Sequence, residues 1–252
     1  MHHALTRLRG LGRSLAMYYW PPGSTARLAR FYGQFVRPGD LCFDIGAHVG
    51  NRSLAFARLG ARVVAVEPQP DFARFLRHLL ARRRGVVLEE VAIAAAPGRV
   101  ELHLSPATPT VTTASAAFID GVAAIPSFAG VRWENRVEVP ATTLDLLIER
   151  HGLPDFLKLD IEGLEEAALA GLSRAPKLLS FEFLAGRMAS AAHCLDRLEA
   201  IGGWTFNLSI GESLELEWPD FVPRERLDAW LAARAGEDFS GDIYARRLDV
   251  AS

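Results

Sequence analysis

Three groups of residues in this 252-residue chain have types and spacing suited to chemistry. The first is Asp44-Ile45-Gly46-Ala47-His48-Val49-Gly50-Asn51, which follows the apolar run Leu41-Cys42-Phe43. The second is Glu67-Pro68, which closes the next apolar run at 61–66. The third is Lys158-Leu159-Asp160-Ile161-Glu162-Gly163, with Glu182 near the end of the following apolar run. An apolar run, an acid, a glycine-bearing turn, a helical stretch at 51–59 and a second apolar run ending in a carboxylate read as the opening β–α–β of a nucleotide-type fold. In such a unit Gly46 and Gly50 let backbone approach a ligand closely.

The details of the first turn discriminate between ligands. A dinucleotide fingerprint needs G-x-G-x-x-G, but Asp44 occupies its first glycine position and Val49 its last. A carboxylate beside a pyrophosphate is repelled, so NAD is disfavoured. S-adenosylmethionine carries a sulfonium and an ammonium and no phosphate, and Asp44 is compatible with it. Glu67, at the tip of the second strand, suits both ribose hydroxyls. The competing reading is local: Asp44 caps the turn and Glu67 caps a helix starting near Pro70.

In the third group, strand alternation puts Lys158, Asp160 and Glu162 on one face, at the carboxyl end where open α/β sheets bind ligands. Charges in an otherwise apolar strand are costly unless paired. Three roles stand open. One acid, its pKa raised by its neighbours, removes a proton from an acceptor hydroxyl. Alternatively Asp160, Glu162 and Glu182 hold a divalent cation that polarises it. The third is a structural ion-pair network, Lys158 with Glu182 or Asp160. No ligand spacing here is diagnostic, so no residue is assigned to a metal. His48 sits in the glycine turn within reach of cofactor or acceptor. No nucleophile elbow supports a His-based triad.

The elements that must position these groups alternate as α/β throughout. Ser24 reads as the N-cap of a helix to about 36, with Leu28, Phe31, Tyr32 and Phe35 on one face. Pro70 and Asp71 open the next helix, residues 86–92 the third strand and 99–104 another. Residues 105–135 lack periodicity and read as a lid-like or substrate-binding insertion. Thr143 caps a helix; 156–161 and 177–183 are strands, 190–201 a helix, 204–208 a strand, 223–233 a helix and 242–245 the last strand. Residues 1–36 read as an N-terminal arm and helix packing aromatics on a domain spanning 37–247. The net charge of -2 gives no case for nucleic acid or an anionic membrane. Two cysteines are no disulfide framework, and no run reaches membrane-spanning length. These features predict a reduced, cytoplasmic protein.

Phe43 to Gly50, Val66-Glu67-Pro68, Thr143-Leu144-Asp145 and above all the Lys-x-Asp-x-Glu-Gly stretch at 158–163 resemble the FkbM family of S-adenosylmethionine-dependent methyltransferases. Ser180-Phe181-Glu182-Phe183, residues 207–213 and Gly241-Asp242-Ile243-Tyr244-Ala245 resemble one subgroup of it. The resemblance implies a class I methyltransferase (Rossmann-like) fold, with a seven-stranded, mostly parallel sheet, its last strand antiparallel, and helices on both faces. It implies methyl transfer to a hydroxyl of a sugar or other small metabolite. Asp44, Gly46 and Gly50 would hold the methionine part, Glu67 the ribose, and residues 91–95 would flank adenine. The cofactor set is then Asp44, Gly46, Ala47, His48, Gly50, Asn51, Glu67, Pro68 and Ala92. The catalytic set is Asp160, Glu162, Lys158 and Glu182. Relatives often carry Ser-Asp where this chain has Ala94-Ala95, so a polar adenine contact is missing. Two rivals remain, an NAD(P)-dependent oxidoreductase and a cofactor-binding partner or scaffold without turnover.

Overall fold

The computed structural model describes residues 2–20 and 23–248, with side chains from Arg9 onward. Helices α1 (His2–Tyr19) and α2 (Ser24–Tyr32) precede β1 (Leu41–Ile45). Then come α3 (Asn51–Arg58), β2 (Arg62–Val66), α4 (Pro70–Leu80) and β3 (Val86–Glu89). The chain continues through β4 (Ala92–Ile93), β5 (Gly98–Leu104), α5 (Ala116–Val122), β6 (Asn135–Thr142) and α6 (Leu144–His151). It closes with β7 (Phe156–Leu159), α7 (Glu165–Ala170), β8 (Leu178–Leu184), α8 (Met188–Glu199), β9 (Trp204–Ile210), α9 (Arg224–Ala232) and β10 (Ser240–Arg247).

The principal sheet has seven strands in the order β3-β2-β1-β7-β8-β10-β9. β10 runs antiparallel to β8 and β9, and the other pairings are parallel. Strands buried on both faces need to be apolar throughout, and β1 and β7 are fully buried along their length. One face carries α6, α7, α8 and α9, whose Leu147, Leu169, Leu195 and Leu227 pack on Phe43, Leu157 and Phe181. The other carries α2 and α3, where Tyr32 and Phe56 pack on Cys42 and Phe156. Beside them α4 brings Leu76 against Ala65. Among the described residues no helix is long and apolar enough to cross a membrane.

Several local expectations are corrected. Ser24 is the first helical residue, because Gly23, left-handed at φ 78°, takes the cap position. The stretch 86–92 is not one strand. β3 ends at Glu89, which His151 and Arg150 engage, and Ala92–Ile93 crosses to a second sheet of order β4-β6-β5. Asp160 and Glu162 lie beyond their strand: β7 stops at Leu159 and Glu162 is left-handed at φ 52°. In the arm, Tyr18 and Tyr19 pack on the glycine turn while Trp20 is exposed; Pro21 and Pro22 lie outside the described residues.

Two turns are pressed together where β1 and β7 end. Gly46 is left-handed at φ 84°, and a Cβ built on it would stand 1.8 Å from the carbonyl oxygen of Asp160. The Asp160 amide donates to the Ile45 carbonyl at 3.0 Å in the same place. Backbone opposes backbone, so no side chain can give way. Gly46→Ala is therefore expected to cost about 3 kcal/mol or more, from overpacking and a left-handed alanine together. Urea unfolding measures this; a loss under about 1 kcal/mol would mean the turns separate easily.

Candidate functional site

Between β1 and β7 the order of the sheet reverses, and the chain passes outward to β2 and β3 before returning. Ligands in open α/β sheets bind at such a switch point, beyond the carboxyl ends of the strands. A cavity of about 500 Å³ lies there, walled by both turns, by Glu67, by Val91-Ala92-Ile93 and by the 105–135 insertion.

Of the predicted cofactor residues, Gly46, Ala47, His48, Asn51, Glu67, Pro68 and Ala92 line this cavity. Asp44 and Gly50 do not. Asp44 sits one layer below, almost fully buried, accepting a hydrogen bond from Ser53 Oγ at 2.5 Å. Burial raises its pKa, opposed by Lys158 and Ser53. Gly50 starts α3 in the left-handed region, where a Cβ would press on Leu76 of α4 at 2.7 Å. Both residues shape the turn from behind. Glu67 accepts from the backbone amides of His48 and Gln69, each at 2.8 Å, and burial pushes its carboxyl up to about 7. The helix cap that the competing local reading gave to Glu67 is supplied by Gln69, whose side chain accepts from the Asp71 and Phe72 amides.

Asp160, Glu162 and Glu182 come together in the wall of the same cavity, with a carboxylate oxygen from each within 4.8 Å of the others. They meet because the chain turns sharply after β7. Glu165 holds that turn, accepting from the Ile161 and Gly163 amides at 2.9 and 3.0 Å. Lys158 does not reach the cavity. Its ammonium is fully buried, 2.7 Å from Asp160 Oδ2 and 3.8 Å from Asp242 Oδ1. Of the pairings expected for it, Asp160 is observed and Glu182 is not; Asp242 takes its place.

Electrostatics divide the three acids. Burial works against the charge on Asp160, but Lys158 and Arg52 more than offset it and hold its carboxyl below the usual range. Burial and the neighbouring Asp160 push Glu162 well up, and burial and Glu162 do the same to Glu182. Carboxylates this close share protons, as like charges resist joint ionisation. Asp160 is thus held ionised by the cations beside it, while burial and mutual proximity favour the protonated forms of Glu162 and Glu182.

The cavity also uses residues that the sequence reading did not assign. Arg52 pairs with Glu212 at 2.7 Å, and Tyr18, Phe72, Asp238 and Asp242 also line the cavity. Glu212 and Asp242 fall in motifs 207–213 and 241–245, so a signal was present without a role. From the insertion come Thr108 to Thr112, Ile125, Ser127, Phe128 and Val131. It is fastened over the site by Thr113 Oγ1 donating to the Glu162 carbonyl at 2.7 Å, and by Ser127 donating to Asp238.

The family profile described as the Methyltransferase FkbM domain matches residues 44–197. No curated protein sequence matches the chain. Among solved structures, an O-methyltransferase from Bacillus cereus in complex with SAH is similar at 13% identity and TM-score 0.47, over 97% of this chain and 90% of that one. A precorrin-6y C5,15-methyltransferase from Geobacter metallireducens is similar at 13% identity and TM-score 0.42, over 89% and 88%. Aeropyrum pernix fibrillarin with bound S-adenosyl-L-methionine is similar at 14% identity and TM-score 0.42, over 87% and 73%.

Lys158→Met removes a buried cation and leaves Asp160 and Asp242 facing each other. The expected cost is about 3 kcal/mol near neutral pH. Asp160, held low in the folded protein, contributes stability above its unfolded pKa that is lost as pH falls through its lower folded value. Without Lys158 that contribution is absent, so the gap between variant and wild type should narrow in acid. Denaturant unfolding at pH 7 and through the range below the ordinary carboxyl value of 3.8 measures both; a gap that stays equal down through that range would remove the pairing from the account.

Proposed function

Because the chain belongs to the FkbM methyltransferase family, we propose that it transfers a methyl group from S-adenosylmethionine to a hydroxyl oxygen of a small acceptor, a sugar being the first class to test. The observation that carries this reading is the excess of carboxyl groups over cations in the cavity wall. Glu67, Asp160, Glu162, Glu182, Glu212, Asp238 and Asp242 face it, against one guanidinium, Arg52. That lining fits a donor bearing a sulfonium and an ammonium and opposes a pyrophosphate, so it disfavours a nicotinamide dinucleotide.

S-adenosylmethionine supplies a methyl carbon already activated for displacement by the sulfonium. The chain's residues then have to bind, align and remove a proton. Glu67, ionised, accepts from the ribose hydroxyls; Val91, Ala92 and Ile93 flank the adenine; the 46–48 turn receives the methionine end. Glu162 and Glu182 share a proton, and whichever of the two is ionised would take the acceptor's hydroxyl proton as its oxygen bonds to the methyl carbon and the carbon–sulfur bond breaks. Asp160 stays ionised on Lys158. The insertion at 105–135 covers the acceptor and excludes water. Residues 37–247 constitute the methyltransferase domain, to which 1–36 are added.

Calorimetric titration with S-adenosylhomocysteine tests the donor assignment, and micromolar binding is expected. Glu67 must be ionised to accept from the ribose, and burial holds it at about 7 in the free protein. Affinity should therefore rise with pH up to about 7 and level off above. Glu67→Gln should bind about tenfold or more weakly, without that rise. No binding to folded wild type would sink the donor assignment. Binding to the wild type with an unaltered pH profile in the variant would remove only the ribose role of Glu67. Binding without methylated product across a panel of hydroxylated acceptors would favour a cofactor-binding protein without turnover.

A further inference from the structure

Helix α1 precedes the matched stretch 44–197, yet it brings a ring to the cavity. Tyr18 lies edge-on to His48, with centroids 5.5 Å apart and planes at 79°. His48 also meets Phe72 of α4 at 4.1 Å and 66°. His48 is a non-glycine residue at φ 50°, a left-handed position that needs external support. Its buried Nε2 has no hydrogen-bond partner among the described residues, so ring contacts rather than polar ones hold the side chain. The backbone amide of His48 in turn donates to Glu67 Oε2.

Two further contacts fix α1 in place. Tyr19, next to Tyr18, donates its hydroxyl to the Val49 carbonyl at 2.7 Å. The Arg52 guanidinium, paired with Glu212, sits 5.9 Å from the centre of the Tyr18 ring. Burial, with Glu212, Asp160 and Glu182 nearby, raises the Tyr18 hydroxyl to about 12, so this is a neutral ring at the acidic wall.

We propose that Tyr18 is a positioning residue of the donor site: its ring clamps His48 against Phe72, which fixes the 46–49 turn and the amide that orients Glu67. This rests on the donor assignment above and extends it to a helix outside the matched stretch. An aromatic pair contributes about 0.5–1.5 kcal/mol beyond its buried area, and here that energy holds a strained turn in its binding conformation. The device is preorganisation. Without the ring the turn samples other conformations, and donor affinity falls by the fraction of time it does so.

The test is titration of the full-length protein with S-adenosylhomocysteine, alongside thermal unfolding of the unliganded forms. Tyr18→Ala should weaken binding about fivefold to tenfold. Tyr18→Phe keeps the ring and should restore wild-type affinity. Trp20→Ala removes an exposed ring near the end of the same helix and should change nothing. If Tyr18→Ala fails to fold, Tyr18→Leu, which keeps bulk without the aromatic ring, takes its place with the same expectation. A ring-less variant binding like the wild type, or a Tyr18→Phe variant as weak as Tyr18→Ala, would overturn the clamp and leave the donor assignment standing. Absence of binding to the wild type would overturn both.

Discussion

The site depends on one backbone contact, Gly46 against the carbonyl of Asp160. Parallel neighbours β1 and β7 end side by side, and the chain must leave both strands in the space between them. Only a residue without Cβ fits that close to the Asp160 oxygen. The contact sets the distance between the glycine turn and the acidic turn, which line the same cavity. Residues two places beyond each partner take unusual conformations as well. His48 and Glu162, one on each turn, are both left-handed without being glycine. Each is supported from outside the sheet, His48 by Tyr18 and Phe72, and Glu162 by Thr113 of the insertion.

Beneath the turns lies a fully buried ammonium. Lys158 opposes Asp44 on β1 in register and holds Asp160 and Asp242 in ion pairs. A buried charge is tolerated only when paired, so its partners are fixed in turn. The consequence for the cavity is a division of labour among carboxylates of the same chemical type. Asp160, next to the cation, stays ionised. Glu162 and Glu182, farther from it and close to each other, are driven toward protonation. The wall thus keeps one permanent negative charge beside two carboxyls that can exchange a proton between them.

Much of this is legible in the amino-acid sequence alone. The run of β1, its turn, α3, β2 and Glu67 follows from apolar runs, glycines and an acid, all local signals. The acidic group was legible too, but for an incomplete reason. Strand alternation put Lys158, Asp160 and Glu162 on one face, whereas β7 ends at Leu159 and the turn held by Glu165 gathers the acids. Period-two reasoning sees side-chain direction but not where a ladder stops. The same limit hid the passage of Ala92–Ile93 to a second sheet, set by pairing with Ala141 and Thr142 far along the chain. Arg52, Glu212 and Tyr18 escaped for a related reason: their partners lie 160 or 30 residues away or act through ring contacts, and no local pattern encodes such pairs.

The most direct test of a donor site at the β1–β7 switch point is a crystal structure of the protein with S-adenosylhomocysteine. The account predicts the ribose hydroxyls on Glu67, the adenine beside Val91-Ala92-Ile93, and the sulfur on the side of Asp160, Glu162 and Glu182. A nucleoside lying outside this cavity, or a ribose with no contact to Glu67, would contradict it.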